Sequence, residues 1–152
     1  MDIVGYWTLI VITMLIAIIT IYFRKFRFID FQYIVMAWAV GFALDMLFCK
    51  WLGLYSWVSK MHKGFYSFWV CLLFYPAVAI IFLKFRPLRT MWITIYIAFC
   101  SIAFTIFELG ITRPLGIVKY AKWHILPWSP LGYIIVLTIL LAYYKIVEKR
   151  LK

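Results

Sequence analysis

Acidic residues are scarce in this 152-residue chain: 5 Asp and Glu stand against 16 Lys and Arg, which leaves a net charge of +11. Cysteine is also rare. Cys49, Cys71 and Cys100 are odd in number and form no CxxC pair, which argues against a disulfide framework. The two histidines, His62 and His124, have no second ligand at metal spacing, so we expect no metal ion and no cofactor. P-loop, GxSxG and HExxH motifs are missing, so none of these signatures points to an activity.

Apolar residues are abundant instead. They make up 68% of the chain, and the mean hydropathy is +1.02. A soluble domain is roughly half apolar, so hydrocarbon must cover much of this surface. The basic residues lie between long apolar runs rather than on one face, which favours contact with membrane lipid headgroups over nucleic acid. The sequence therefore predicts a single all-α transmembrane domain over residues 1–152, with no nucleic-acid partner.

Five apolar stretches are long enough to cross a hydrocarbon core of about 30 Å as helices. They cover approximately residues 3–23, 31–48, 65–83, 91–109 and 130–146. No basic residue precedes the first stretch, which predicts an uncleaved anchor rather than a signal peptide. Pro76 lies near the middle of the third stretch and should loosen its hydrogen-bond ladder near Leu72.

The positions of lysine and arginine predict how the helix bundle is oriented. The connections on one side carry ten of these residues: Arg24, Lys25, Arg27, Lys84, Arg86, Arg89, Lys145, Lys149, Arg150 and Lys152. Those on the other side carry six: Lys50, Lys60, Lys63, Arg113, Lys119 and Lys122. The richer side is expected to be cytoplasmic. This predicts an N-terminus outside and a C-terminus in the cytoplasm.

Two acids lie inside the predicted spans, although a charge there is costly. Asp45 in the second span and Glu108 in the fourth should reach a similar depth near the outer face, because these spans run in the same direction. Each acid ends a stripe at helical spacing: Ala37, Gly41 and Asp45, and Ser101, Thr105 and Glu108. Small and polar stripes face the interior of a membrane bundle. The two acids are therefore expected to share an outer vestibule.

The two outer connections, roughly residues 49–64 and 110–129, are rich in tryptophan and tyrosine, which favour the headgroup region. We expect them to lie on or dip into the outer leaflet as an aromatic belt that anchors the spans, and the alternative is that they line a ligand site. The candidate ligand-binding residues are Asp45, Glu108, Arg113, Trp123, His124 and Trp128. The alternative is that both acids are only ion-paired or hydrogen-bonded for solvation. Their candidate partners are then Lys50, Arg113, Lys119, His62 and His124.

Several segments resemble a family of small multi-pass membrane proteins of spore-forming Gram-positive bacteria. They are FALDMLF at 42–48, GFYSFW at 64–69 leading to Tyr75-Pro76, Phe107-Glu108, and Trp123-His124 followed by Pro127-Trp128. The resemblance covers roughly residues 24–152. It implies a multi-pass topology and the bacterial cytoplasmic membrane, and it implies no particular activity.

Three functional hypotheses remain open from the sequence. The first is a non-catalytic protein that binds a lipid-like ligand or a membrane protein partner at the outer vestibule. The second is a membrane-embedded enzyme acting on a lipid or isoprenoid substrate, with Asp45 and Glu108 as acid and base. The third is a proton-coupled or channel-like oligomer in which Ser101, Thr105 and Glu108 line a pore.

Overall fold

Long apolar helices form most of the chain. The computed structural model describes residues 2–58 and 63–151. Its helices are α1 (Asp2–Arg24), α2 (Phe28–Asp45), α3 (Lys63–Trp69), α4 (Tyr75–Phe85), α5 (Thr90–Phe107) and α6 (Ile125–Arg150). Five stretches are long and apolar enough to cross a membrane: Ile3–Arg24, Phe28–Trp51, Phe65–Phe85, Met91–Thr112 and Ile125–Arg150. The predicted all-α class and the five candidate spans are thus confirmed.

The fifth stretch begins five residues before the predicted start at Pro130. Helix α6 starts at Ile125, and Leu126 within its first turn has non-helical backbone angles. Proline has no N–H to donate, and the first turn of a helix leaves its N–H groups without intrahelical partners. Pro127 and Pro130 therefore fit in the opening turns of α6, whereas the sequence prediction placed the start of the span at Pro130.

The third span lies at the centre of the bundle. Its helix α4 packs against α1 and α2, while α6 packs against α2 and α5. In the third span 44% of the residues are buried, against 17% to 28% in the other four. Large apolar side chains such as Ile19, Ile95 and Ile135 are exposed on the outer helices. Their exposure fits helices that have lipid rather than protein on one side.

A short antiparallel ribbon covers one end of the bundle. Strand β1 (Tyr55–Trp57) pairs with β2 (Val118–Tyr120), in the register Tyr55 with Tyr120 and Trp57 with Val118. The N–H of Val58 donates to the Ile117 carbonyl at 2.8 Å and extends the pairing. The sequence did not predict these strands. They join the two aromatic connections into one structure, and we call this end of the molecule the ribbon end.

Three π-helical segments interrupt the α-helical geometry: Met46–Trp51, Val70–Phe74 and Glu108–Thr112. The second directly precedes Tyr75 and Pro76 and includes Leu72, near which the sequence predicted a loosened ladder. The other two begin at or just after the intramembrane acids. A π-helical segment shifts the direction of later side chains relative to an α-helix. The second segment therefore helps to set where Tyr75 points, and the other two affect the side chains that follow Asp45 and Glu108.

The opposite end, which we call the basic end, is held by a charged cluster. Asp30 is completely buried, and its Oδ2 accepts the Lys84 ammonium and the Arg27 backbone N–H, the latter at 2.8 Å. Arg27 also donates to the Tyr144 hydroxyl at 2.7 Å. Asp30 is the third helical residue of α2, and its side chain accepts the backbone N–H of the N-cap residue, Arg27.

Candidate functional site

Asp45 is the last residue of α2, at the point where the first π-helical segment begins. Ala37, Gly41 and Asp45 are all buried, which confirms the inward-facing stripe predicted for the second span. Only 2% of the Asp45 surface is exposed. A carboxylate this enclosed is costly unless hydrogen bonds replace its lost hydration.

Three aromatic donors converge on one oxygen of Asp45. Oδ1 accepts the Tyr55 hydroxyl at 2.6 Å, the Trp57 indole N–H at 3.3 Å and the Tyr75 hydroxyl at 3.3 Å. The second oxygen, Oδ2, is buried and accepts no hydrogen bond from the residues that the structure describes. An unsatisfied buried acceptor costs about 1–3 kcal/mol. Oδ2 is therefore an open acceptor position for a donor that the described chain does not supply.

Glu108 is the first residue of the third π-helical segment and is 9% exposed. Its Oε1 accepts the Tyr120 hydroxyl at 2.5 Å, and its Oε2 accepts the Tyr133 hydroxyl at 3.0 Å. Both oxygens thus have partners inside the protein. Earlier on the same stripe of α5, the Ser101 hydroxyl donates to the Pro130 carbonyl and the Thr105 hydroxyl donates to the Ser101 carbonyl. The predicted polar stripe is buried and satisfied within one copy of the chain.

The ribbon connects the two acids. Tyr55, which binds Asp45, lies directly opposite Tyr120, which binds Glu108. Directly opposite side chains in an antiparallel pair project from the same face, with Cβ atoms about 5 Å apart. Asp45 and Glu108 are therefore anchored to adjacent positions of one ribbon. We call the two acids and their five donors, Tyr55, Trp57, Tyr75, Tyr120 and Tyr133, the carboxylate site.

The ribbon phenols remain hydrogen-bond donors over a wide pH range. Burial raises the pKa of Tyr55 well above its ordinary value, and the charge and hydrogen bond of Asp45 raise it further. Burial likewise raises the pKa of Tyr120, together with its hydrogen bond to Glu108 and the charge of Glu108; the Arg113 charge opposes the rise. Both hydroxyls therefore stay protonated at physiological pH and continue to donate to the two acids.

The other predicted ligand-binding residues lie farther from the acids. Trp123 packs its ring against Phe48 and Tyr55, with centroid distances of 5.5 and 6.4 Å, and borders the carboxylate site. Arg113, His124 and Trp128 are exposed on the surface of the ribbon end. Of the predicted set, Asp45 and Glu108 belong to the carboxylate site and Trp123 borders it, while the other three are exposed at the same end of the molecule.

Hydrogen bonds, rather than ion pairs, hold the two acids. Among the described residues, the ion pairs involve Asp30 and Glu148, which lie at the basic end. Lys50, one of the predicted partners, is exposed. His62, another predicted partner, and Lys60 lie outside the described residues. The sequence left open whether the two acids are stabilised by ion pairs or by hydrogen bonds. Among the described residues, hydrogen bonds are observed.

The donors of the carboxylate site were not predicted from the sequence. Tyr55, Trp57 and Tyr120 lie in the connections interpreted as an aromatic belt, and Tyr75 was not among the candidate ligand-binding residues. The hydroxyl of Tyr75 binds Asp45. One usable signal was present: Tyr55 and Trp57 are two residues apart, the spacing that places two side chains on one face of a strand.

No cluster of three or more histidine, cysteine or acidic residues that could hold a metal ion occurs within residues 2–58 and 63–151. No protein-family profile, curated protein or solved structure matches the chain. The chemistry of the carboxylate site therefore carries the functional argument. It offers one open carboxylate oxygen, surrounded by aromatic rings, next to a second acid whose oxygens are both occupied.

Proposed function

We propose that this chain is an integral membrane protein that binds a lipid-like ligand at its ribbon end, with Asp45 Oδ2 accepting a hydrogen bond from the ligand. The asymmetry of Asp45 is the observation that carries the proposal. One oxygen takes three donors, while the other is equally buried and takes none from the described residues. A hydroxyl or ammonium group of a ligand would satisfy it. The surrounding aromatic rings suit the hydrocarbon part of such a molecule.

We further propose that the chain lies in the bacterial cytoplasmic membrane, with its N-terminus outside and its basic end in the cytoplasm. Five candidate spans and the lysine and arginine bias support this orientation. The family resemblance given above supports the bacterial setting. In this orientation the carboxylate site lies at the level of the outer leaflet.

Cysteine labelling tests the orientation. Arg113→Cys at the ribbon end should react with a membrane-impermeant maleimide on intact cells. Arg89→Cys, which precedes α5 at the basic end, should react only after permeabilisation. Both side chains are exposed, and the unmodified chain measures the background from its own cysteines. The reverse labelling pattern would invert the proposed orientation.

The ligand proposal predicts a thermal shift that depends on Asp45. Purified, delipidated protein should melt at a higher temperature after addition of one lipid fraction from its native membrane. A ligand at about 100 times its Kd adds about 2.7 kcal/mol to the stability of the folded state. The Asp45→Asn variant should lose most of this gain, because its amide oxygen can keep the three aromatic donors while its NH2 group replaces the acceptor at Oδ2.

Glu148→Gln is the matched control, since it also removes one negative charge but lies at the basic end. It should keep the wild-type response to the ligand. An Asp45→Asn variant that is stabilised as strongly as the wild type would rule out Oδ2 as the binding atom. A protein that co-purifies while every lipid fraction is silent would point to a membrane protein partner instead.

The enzyme hypothesis uses the same site and divides the roles of the two acids. Glu108 accepts two phenol hydrogen bonds, whereas Asp45 has an open oxygen, which makes Asp45 the better candidate for exchanging a proton with a substrate. Turnover of the stabilising lipid, lost in Asp45→Asn, would favour catalysis over binding. The pore hypothesis has less support, because Ser101 and Thr105 donate to carbonyls within the bundle.

A further inference from the structure

A groove of about 410 Å³ runs along the seam between α5 and α6, away from the carboxylate site. Its floor contains Ile93, Ile97 and Leu141, which are buried and belong to the core between these helices. The volume falls within the range of about 300–1,000 Å³ that is typical of ligand pockets. The groove is therefore a candidate binding site for an apolar chain, and Lys145 lies at one of its ends.

Short side chains keep this groove open. Thr94 and Ala98 line it from α5, and Thr138 and Ala142 line it from α6, each pair four residues apart. The Thr138 hydroxyl donates to the Ile134 carbonyl at 2.7 Å, so it is satisfied within its own helix. Apart from the Thr94 hydroxyl, these short side chains therefore offer methyl groups and space, which suits hydrocarbon.

The wall of the groove on α6 is about as long as one leaflet. It runs from Ile134 to Lys145, eleven residues or about 17 Å at 1.5 Å per residue, while the wall on α5 runs from Ile93 to Ala98. The hydrocarbon core of a bilayer is about 30 Å thick, so each leaflet contributes about half of that. An acyl chain that lies in this groove would place its headgroup beside Lys145.

Positive charge surrounds the end of the groove near Lys145. Arg89 lies one helical turn before Ile93, and Lys149 lies one turn beyond Lys145; all three cations are exposed. The nearby acid Glu148 is engaged elsewhere, with Arg86 at 3.8 Å and the Tyr144 hydroxyl at 3.4 Å. A phosphate at this level would meet basic side chains from both helices.

We propose that the groove between α5 and α6 binds one phospholipid with an anionic headgroup, its acyl chain over Ile93, Ile97 and Leu141 and its phosphate at Lys145. The groove is apolar, is about one leaflet long on α6 and ends at cations, and these features together favour a phospholipid. A helix of a second copy would need only the small residues. This site is separate from the carboxylate site and does not depend on the ligand proposed there.

Native mass spectrometry from nanodiscs tests the proposal. Discs that contain equal amounts of phosphatidylglycerol and phosphatidylcholine with identical acyl chains should release protein carrying one phosphatidylglycerol. Lys145→Gln/Lys149→Gln should reduce this adduct about tenfold. Ala142→Leu, which fills the groove from an exposed position, should reduce it as strongly. Lys122→Gln removes an exposed charge at the ribbon end and should leave the adduct unchanged.

Three outcomes would overturn the proposal. Equal retention of both lipids would remove the role of the cations. Retention of inorganic phosphate in lipid-free detergent with the same dependence on Lys145 would show an anion site that needs no acyl chain. A dimer that Ala142→Leu converts to a monomer would assign the groove to a second copy of the chain.

Discussion

Replacing Lys84 by methionine is expected to lower the free energy of unfolding by about 3–5 kcal/mol, because it leaves the Asp30 carboxylate charged and buried. Asp30 is 0% exposed and the Lys84 side chain 6% exposed, so neither group can return to water without opening the basic end. Arg27 compensates little, since its guanidinium lies 3.9 Å from Asp30 and its side chain is 57% exposed. Thermal and denaturant unfolding in detergent micelles would measure the loss.

Neutralising both partners should recover much of that loss. In Asp30→Asn/Lys84→Met no unpaired charge is buried, and the amide oxygen can still accept the Arg27 N–H that Asp30 accepts at 2.8 Å. Arg24→Met is the control for removal of a cation: Arg24 lies over the Phe85 ring at 5.4 Å and is exposed, so its loss should cost less than about 1 kcal/mol. A double variant no more stable than Lys84→Met would contradict this explanation.

The second large effect is expected from a single methyl group. A Cβ on Gly41 would overlap the ring of Tyr75, which packs directly against the α2 backbone at this position. The ring cannot easily move aside, since Trp57 lies at its edge with centroids 6.4 Å apart. Gly41→Ala should therefore destabilise the protein by about 1–3 kcal/mol. It should also weaken ligand binding, because a displaced Tyr75 no longer donates to Asp45.

Gly132→Ala is the matched control, since a Cβ at that position in α6 meets nothing within 4 Å. In a helix interior, alanine is favoured over glycine by about 1 kcal/mol, so this variant should melt at or above the wild-type temperature. Comparison of the two melting curves separates steric overlap from helix propensity. If Gly41→Ala melted together with Gly132→Ala, the close packing of Tyr75 on α2 would be wrong.

The spans and the inward faces of α2 and α5 were predictable from the sequence. The length of an apolar stretch is nearly enough to identify a membrane helix, because an α-helix satisfies its own backbone hydrogen bonds in hydrocarbon. The four-residue spacing of Ala37, Gly41 and Asp45 then indicates which side of α2 faces protein, and the structure buries all three. The burial of Asp45 and Glu108 followed from the same rule that charges avoid lipid.

The partners of the acids were not predictable in the same way. Strands β1 and β2 have three residues each, which is too few for a pattern, and their pairing joins residues more than sixty positions apart. Aromatic residues near a span end have two physical uses: their rings suit the headgroup region, and their hydroxyl or indole groups donate hydrogen bonds. Sequence favoured the first use for Tyr55 and Tyr120. Only the fold reveals the second.

Native mass spectrometry of protein released gently from its own membrane tests the central claim most directly, namely that Asp45 Oδ2 is an open acceptor for a lipid-like ligand. The expected result is one bound small molecule on the wild type, retained in Glu148→Gln and lost in Asp45→Asn, with all three proteins folded. Lipid extraction would then identify it as a molecule with a hydroxyl or ammonium donor. A wild type without any such adduct, or an adduct that Asp45→Asn retains in full, would contradict the claim.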